Sequence, residues 1–316
     1  MRYLVTLKPL EPFFFGGDTT FGALGSENST YLVKSRKFPQ QSAILGMLKK
    51  EIMTQSKLLT RKVRGEWVDR ENKEKATKLV GNEKFDITIK NKQNFGVIKE
   101  ISPVFLKRNN QKFIKKVAID KYEYENGLLK NYSPKTDIYD NFISIDNNKC
   151  ITSRVIFKEI IQVGNKKNGG DDSLYKKTSY ILKHNFEFAF YLKVDFELEN
   201  SIVSLGADGS KFQMKVKESE EIFDYKDNNN YITLLSDAYI TIPLDCEFGI
   251  TSEITHQSLK NKKHSTKHNK FEKTDKVYLY EKGSVFIKPS KEVIENLTNP
   301  NLQQIGYNIY SKGETK

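Results

Sequence analysis

Residues 38–54 read FPQQSAILGMLKKEIMT, and this stretch predicts the principal helix of the chain. Pro39 suits a first helical turn, where its missing N–H is not needed. The apolar side chains recur at the spacing of one helical face, at Ile44, Leu45, Leu48 and Ile52. Lys49 and Lys50 fall on the opposite side. The pattern predicts a helix over residues 39–54 with one buried and one charged face.

A basic stretch immediately precedes this helix. It contains Lys34, Arg36 and Lys37, next to the positive end of the helix dipole. Helix N-termini bind anions through unpaired N–H groups, and Gln41 and Ser42 add neutral donors there. The junction is therefore a candidate phosphate site. The alternative is an ordinary capped helix with solvated lysines.

Toward the N-terminus, a glycine-rich loop separates the helix from a first strand. Residues 2–7 alternate as a β-strand does, and residues 16–26 contain four glycines, Gly16 and Gly17 among them. Such a loop can approach a phosphate closely or adopt positive φ. The sequence contains neither G-x-x-x-x-G-K-[ST] nor G-x-G-x-x-G, so we set P-loop and Rossmann nucleotide sites aside.

The remainder of the chain is dominated by β patterns. Strands are predicted over residues 86–89, 180–182, 185–196, 202–205, 211–217, 231–235, 239–242, 277–280 and 284–287. Residues 97–117 predict a hairpin rich in lysine, which could wedge into a nucleic-acid strand or could be a solvated edge hairpin. Ser290 is predicted to cap a short helix. Residues 55–95 are otherwise predicted to be irregular, and residues 145–153 are a predicted loop and boundary between two halves.

The composition favours a polyanionic partner. The 316 residues include 52 Lys and Arg against 40 Asp and Glu, which gives a formal charge of +12. A basic excess of this size favours phosphates over neutral metabolites, because each neutralised phosphate releases counterions. The 20 Phe and 16 Tyr could stack bases, although most are expected to fill sheet cores.

Several classes of protein are disfavoured. No apolar stretch reaches the length of a membrane span, and the N-terminus has no signal-peptide pattern, so we expect a soluble, cytoplasmic protein with no membrane contact. Cys150 and Cys246 are isolated, which supports neither a disulfide framework nor a cysteine zinc site. We expect no cofactor.

The four histidines give little support for catalysis. His264 and His268 have a zinc-compatible spacing, but lysines surround them, so no metal site is predicted. His184 or His256 could serve a metal-free ribonuclease if a partner lay within hydrogen-bond reach. Residues 255–276, rich in Lys and His, are predicted to form a mobile surface loop.

Five short motifs occur in an order that resembles a known family. They are FFFGGD at 13–18, FPQQSAILG at 38–46, LGADGS at 205–210, KGSVF at 282–286 and IGYN at 305–308. In this order they resemble the RAMP proteins of CRISPR systems, in particular subunit three of the type III-B (Cmr) effector complexes. The resemblance spans nearly the whole chain.

The resemblance implies an α+β fold of two ferredoxin-like (RRM-like) RAMP units with antiparallel sheets, a projecting β-hairpin and long loop insertions. We place the units at residues 1–150 and 151–316. The resemblance also implies a non-enzymatic subunit that holds the repeat-derived 5′ tag of the crRNA. The implied protein partners are the backbone RAMP subunits and the large polymerase-cyclase subunit, with target RNA contacted indirectly.

The resemblance also implies roles for individual residues of this chain. Gln41, Ser42, Gly46 and Lys49 would face the phosphates, and Gly206, Gly283 and Gly306 would mark tight turns or close approaches to RNA, with a packing role as the alternative. The full set of predicted RNA-binding residues is Gly16, Gly17, Lys34, Arg36, Lys37, Gln41, Ser42, Gly46, Lys49, Gly206, Ser210, Lys211, Gly283, Gly306, Tyr307 and Asn308.

This chain departs from the family at two turns. Gly16 and Gly17 stand where arginine is frequent, and residues 206–209 replace a Gly-Gly-Glu-Arg-like turn. Alternatives are a RAMP endoribonuclease that processes crRNA precursors, the equivalent subunit of a type III-A (Csm) complex, and a protein scaffold whose basic surface serves solubility.

Overall fold

A central antiparallel sheet carries the predicted helix on one face. The computed structural model describes residues 1–17, 19–20, 31–59, 62–63, 66–67, 70–116, 123–130, 141–146, 149–165, 174–206, 208–227, 231–261 and 271–313. The helices are α1 Gln41–Gln55, α2 Arg70–Val80, α3 Ser153–Ile156, α4 Lys291–Leu297 and α5 Pro300–Gln304.

The strands are short and numerous. In chain order they are β1 Arg2–Pro9, β2 Thr19–Thr20, β3 Tyr31–Lys34, β4 Lys62–Val63, β5 Glu66–Trp67, β6 Ile98–Ile101, β7 Phe105–Arg108, β8 Gln111–Lys115, β9 Glu123–Glu125, β10 Leu128–Lys130, β11 Asn141–Ser144, β12 Cys150–Thr152, β13 Phe157–Asn165, β14 Leu174–Leu182, β15 Glu187–Val194, β16 Ser201–Leu205, β17 Ser210–Glu218, β18 Lys226–Asp227, β19 Tyr231–Thr233, β20 Cys246–Ile250, β21 Glu253–His256, β22 Leu259–Asn261, β23 Phe271–Lys273, β24 Val277–Tyr280, β25 Val285–Pro289 and β26 Lys312–Gly313.

The largest sheet has nine strands in the order β12-β11-β8-β7-β15-β1-β17-β16, with β6 also paired to β15. All its pairings are antiparallel. Alternate residues of β1, including Val5 and Leu7, point to one face and are fully buried. They belong to the same core cluster as the apolar side of α1, represented by Ile44, Leu48 and Ile52. This packing fixes α1 on the sheet.

The other face of the sheet is covered only in part. A second cluster, comprising Phe105, Ile114, Ala189, Tyr191 and Leu235, packs there over β7, β8 and β15. A third cluster lies among the C-terminal elements, where Phe286 of β25 packs with Val293 and Leu297 of α4. The strands β17 and β16 therefore lie beyond the covered half of the sheet.

The α+β class with mostly antiparallel sheets, predicted from the sequence, is confirmed. The predicted helix at residues 39–54 is α1, and Ser290 caps α4 by accepting a hydrogen bond from the backbone N of Val293. The division at residue 150 stays a prediction; β1, before that point, pairs with β15 and β17, after it.

Five local predictions were wrong. Residues 70–80 form the polar helix α2, and residues 86–89 form a turn in which Asp86 Oδ1 accepts the backbone N–H of Thr88. Residues 150–156 form a strand and a helical turn. Residues 239–242 form no strand. The segment 255–276 begins and ends in β-structure, since β21 pairs with β24 and β22 with β23; His264 and His268 lie outside the described residues.

The predicted lysine-rich hairpin exists as β7 and β8, but it is part of the central sheet. Phe113 and Ile114, adjacent on β8, are both buried because both faces of the sheet are covered there. Lys116 is buried over the rings of Tyr225 and Tyr231, so it is not available as a wedge. Among the described strands, the longest hairpin is instead β13 and β14, nine residues each, with Ile161 and Val163 exposed.

Among the described residues, no helix is both long and apolar enough to cross a membrane.

Candidate nucleic-acid interface

The outward side of α1 forms the floor of a wide, open groove of about 730 Å³. Its walls come from the turn after β16, from residues 83–85 and from residues 257–258. Four of the predicted RNA-binding residues line this groove, namely Ser42, Gly46, Lys49 and Gly206. Three are on α1, and Gly206 is brought to them by the sheet. We call this feature the α1 groove.

Gly46 lies in the middle of α1 and is exposed in the groove. A Cβ built on it would meet nothing within 4 Å. Glycine inside a helix costs roughly 0.5–1 kcal/mol relative to alanine, and no neighbouring atom among the described residues requires it here. The position therefore leaves room for the backbone of a ligand to approach α1 closely.

The N-terminus of α1 has few side-chain caps. The preceding residue, Gln40, makes no side-chain cap bond. The backbone N of Ser42 donates weakly to the Tyr307 hydroxyl at 3.4 Å, and that hydroxyl is 3.4 Å from Ser42 Oγ. Burial raises the pKa of Tyr307 to about 12, so its hydroxyl stays protonated. The N–H groups of Ala43 and Ile44 bond the Gln40 carbonyl, so what the first turn presents beside the groove is the positive end of the helix dipole.

Lys49 forms part of the groove wall through contacts within the chain. Its Nζ donates to the Glu83 carbonyl at 2.8 Å and lies 4.7 Å from the centre of the Phe95 ring. Burial lowers the pKa of Lys49 to about 8, although Glu83 opposes the shift. Lys50, which the prediction missed, is exposed and also lines the groove. Lys50 therefore presents an exposed basic side chain to a ligand.

Glycines of the first loop and of the turn after β16 allow backbone segments to touch. A Cβ on Gly17 would be 1.8 Å from the Lys34 carbonyl oxygen, and one on Gly206 would be 2.4 Å from the Phe14 carbonyl oxygen. The Gly16 carbonyl accepts the backbone N–H of Arg36 at 2.9 Å. These contacts support the packing alternative, and they fix the basic stretch beside the groove.

A second, more enclosed cavity of about 330 Å³ lies beside the basic stretch. Its charged lining residues are Lys34, Arg36, Lys37, Lys115, Lys282, Asp237 and Glu281, a formal excess of three positive charges. Phe38, Phe142 and Tyr180 add aromatic surface. We call this feature the cationic pocket. The sequence alone groups only the first three of these cations, because the others come from β8 and from the turn before β25.

Lys282 is the most unusual residue of the cationic pocket. It is only 6% exposed, and its Nζ lies 4.0 Å from the centre of the Phe38 ring. Burial lowers its pKa, while Asp237 and Glu281 act in the opposite direction. Lys115 pairs with Glu281 at 2.7 Å. The pocket thus holds a buried lysine side chain against the ring of Phe38.

Two basic residues of the stretch have partners within the chain. Lys34 pairs with Glu159 at 3.1 Å, and this hydrogen bond is the main cause of its raised pKa. The Arg36 guanidinium donates to the carbonyl of Thr255 and, at 3.1 Å, to its hydroxyl. Its Nη1 is buried without a hydrogen-bond partner among the described residues. Arg36 therefore joins the stretch to β21 and keeps one unused donor.

Six predicted residues are buried in the structure: Gln41, Ser210, Gly283, Gly306, Tyr307 and Asn308. Gln41 Nε2 donates to the carbonyls of Ser102 and Gly306, both at 3.0 Å. The side chain of Asn308 bonds the backbone N–H and carbonyl of Tyr239. The expectation that Gln41 faces the phosphates is corrected: its side chain is used inside the chain. These residues position the elements around α1.

The remaining predicted residues are peripheral to the groove. Lys211 is exposed, and its Nζ donates to Ser204 Oγ at 2.6 Å on the groove rim. Lys37 lies over the Phe157 ring at 6.0 Å. Thirteen of the sixteen predicted residues therefore divide into groove residues, pocket residues and buried positioning residues, and Gly16, Gly17 and Lys211 lie beside them.

His256 is buried beside the groove, with its ring edge-on to Phe85 and Tyr307. Burial, with the charge of Arg36, lowers its pKa to about 4, so the ring is neutral at pH 7. His184 is exposed at a positive-φ position. Neither histidine is among the residues that line the groove or the cationic pocket.

Comparison with known proteins gives matches among solved structures. No family model and no curated protein matches the chain. A chain in a cryo-EM structure of the type III-B Cmr-beta bound to cognate target RNA matches at 14% identity and a TM-score of 0.53. The match covers 98% of the chain described here and 96% of the Cmr-beta chain. A chain of Cmr-beta bound to cognate target RNA and AMPPnP matches at 15% identity and a TM-score of 0.51, covering 99% and 96%. The chain described here therefore has the α+β fold of these chains of type III-B Cmr-beta.

Proposed function

We propose that the chain is a non-catalytic RNA-binding subunit of a type III-B CRISPR effector complex and that it holds the repeat-derived 5′ tag of the crRNA. The observation that carries the proposal is the α1 groove, with Gly46 open on its floor. The fold of the chain also supports the proposal, because it is shared along nearly the whole length with a chain of an RNA-bound Cmr-beta complex. In this role it also joins the backbone RAMP subunits to the large polymerase-cyclase subunit.

The groove has the chemistry that an RNA backbone requires. The positive end of the dipole of α1, a 15-residue helix, lies beside the groove, and Lys50 supplies charge. Phosphate contacts of this kind position a strand and give affinity that falls with salt. The open volume at Gly46 lets the sugar-phosphate chain lie against the helix.

The cationic pocket supplies a place for a single nucleotide next to the groove. Its volume lies at the small end of the range for ligand sites. Buried Lys282 and the unused donor of Arg36 offer hydrogen bonds, and the half-buried ring of Phe38 offers contact with a base. Recognition of one nucleotide in a pocket would make binding depend on sequence, which the groove alone would not do.

The test compares RNA with and without the tag. The purified chain, and the complex assembled with it, should bind tag-bearing RNA more tightly than a scrambled RNA of equal length. Gly46→Glu should weaken binding of both RNAs. Lys282→Met should reduce the preference for the tag more than it reduces overall affinity, because it removes the buried hydrogen-bond donor of the pocket. Equal affinity of the wild-type chain for the two RNAs would refute tag recognition.

The absence of catalysis is part of the proposal and has its own test. Precursor crRNA incubated with the chain in EDTA should give no discrete product. A product that disappears in the His184→Gln variant would instead assign the chain to the RAMP endoribonucleases.

A further inference from the structure

Strand β17 presents a row of lysines on the face of the sheet opposite α1. Its residues alternate: Phe212 and Met214 are fully buried, whereas Lys211, Lys215 and Lys217 are exposed. The buried residues belong to the core cluster shared with α1. Because successive side chains of a strand point to opposite faces, the lysines lie on the other side of the sheet.

The strand register extends this row onto the neighbouring strands. Lys8 of β1 and Ile202 of β16 lie on either side of Gln213. Residues directly opposite in a sheet share a face, and all three are exposed, Ile202 by 65%. We call the combined surface the lysine face; it consists of Lys8, Lys211, Lys215, Lys217, Gln213 and Ile202.

The lysine face carries no carboxylate on its own strands. Glu218, the one acidic residue of β1, β16 and β17, is opposite Tyr3 and therefore on the α1 side. Within the described part of the chain, carboxylates meet the face at its ends: Glu11 accepts the backbone N–H of Lys211, and Glu221 feels the charge of Lys217. The strands themselves therefore leave the positive charge in the middle of the face without a carboxylate.

The composition of the face fits a nucleic-acid backbone better than a protein. Protein interfaces have apolar, aromatic centres and are depleted in lysine, whereas this face has four lysines, one exposed apolar residue and no aromatic residue. Alternate positions along β17 are roughly 7 Å apart, so the lysines can contact successive phosphates of an extended strand. Without aromatic rings the contact would not depend on base sequence.

The lysine face begins at the rim of the α1 groove. Ser204 lines the groove, and its Oγ accepts a hydrogen bond from Lys211 Nζ at 2.6 Å. We propose that the lysine face is a second nucleic-acid surface, which carries the phosphate backbone of an RNA strand onward from the groove and across β17. The inference rests on the proposed function in that the ligand is RNA, but it assigns a different surface.

The test uses three lysines that do not line the groove. The Lys8→Gln, Lys215→Gln, Lys217→Gln triple variant removes three charges from the face, and a control triple changes three exposed lysines elsewhere, at Lys158, Lys276 and Lys291. Affinity is measured against salt for two RNAs, the tag alone and the tag extended by spacer sequence. Circular dichroism confirms that each variant is folded.

The expected result is specific to the longer RNA. The slope of log K against log salt is negative, and each single-strand phosphate contact contributes about 0.7 to its magnitude. The triple variant should therefore reduce the magnitude of that slope by about 2 on the extended RNA. It should leave binding of the tag alone unchanged, as should the control on both RNAs.

Two outcomes overturn the inference. A slope on the extended RNA equal to that of the control triple removes the phosphate contacts. Loss of a subunit from the assembled complex, with RNA binding equal to the control, assigns the face to an acidic protein instead. Failure of the wild-type chain to discriminate the tag, with the slope change intact, refutes the proposed function and leaves the lysine face standing.

Discussion

Replacement of Gly46 separates a structural role of this glycine from a binding role. Gly46 is inside a 15-residue helix, and a methyl group at this position would have no neighbouring atom within 4 Å. Gly46→Ala should therefore stabilise the chain, by roughly 0.5–1 kcal/mol from helix propensity. For a chain of this size, that corresponds to a rise in Tm of about 1–3 °C.

The same substitution should impair RNA binding. The methyl group occupies the space through which we expect the RNA backbone to pass, so Gly46→Ala should weaken tag binding several-fold while Tm rises. Gly46→Glu adds a negative charge to the groove, and repulsion of about 1 kcal/mol per nearby phosphate predicts a loss of roughly five- to tenfold or more.

The assays are thermal unfolding followed by circular dichroism and RNA binding followed by fluorescence anisotropy. Gly249→Glu is the matched charge control, because Gly249 is exposed on β20, has ordinary van der Waals clearance and does not line the groove. A fall in Tm for Gly46→Ala would refute the inference that the fold does not need this glycine. Wild-type RNA affinity in both Gly46 variants would refute the groove as the RNA site.

Two further substitutions test the interior around α1. Gly306 has φ +86°, and a Cβ there would lie 2.4 Å from Gln41 Nε2. Gly306→Ala should therefore destabilise the chain by about 3 kcal/mol or more, whereas Gly209→Ala, at a site that is strained in φ but open, should cost about 1 kcal/mol. Equal losses of stability in urea unfolding would show that the Gln41 contact is unimportant. His256 should make the stability of the chain depend on pH, because its pKa falls from 6.5 to about 4 on folding. Its contribution to the free energy of unfolding, about 3 kcal/mol, is complete above pH 6.5 and is lost as the pH falls toward 4. His256→Gln should flatten that loss in Tm against pH, and the exposed-site control His184→Gln should not.

Local periodicity explains what could be predicted. The helix at residues 39–54 was located within two residues because its apolar spacing and Pro39 are local signals. Strands β16 and β17 were found because they alternate on a half-exposed sheet. Helix α2 was missed because only Ala76 and Val80 are buried along it, so it has almost no apolar stripe. The hairpin of β7 and β8 was not expected in the central sheet because its half-buried lysines and buried Lys116 look solvated in a sequence.

The candidate site was predicted in part. The groove residues Ser42, Gly46 and Lys49 are close together in sequence, so the one predicted helix contained all three. The motif could not show that Gln41, one residue before Ser42, points inward to the carbonyls of Ser102 and Gly306. Burial on the N-terminal turn depends on what packs against it, and Gly306 is 265 residues away in the chain.

The sequence by itself determined the basic charge, the antiparallel β content, the principal helix and the glycines that permit close backbone contact, because charge, alternation and φ preference belong to individual residues and their near neighbours. The tertiary structure alone decided which of those residues meet. It placed Lys282 over Phe38, opened Gly46 to a groove and exposed one side of β17. Those outcomes depend on strand register and on packing between distant segments, which a single sequence does not encode in any local pattern.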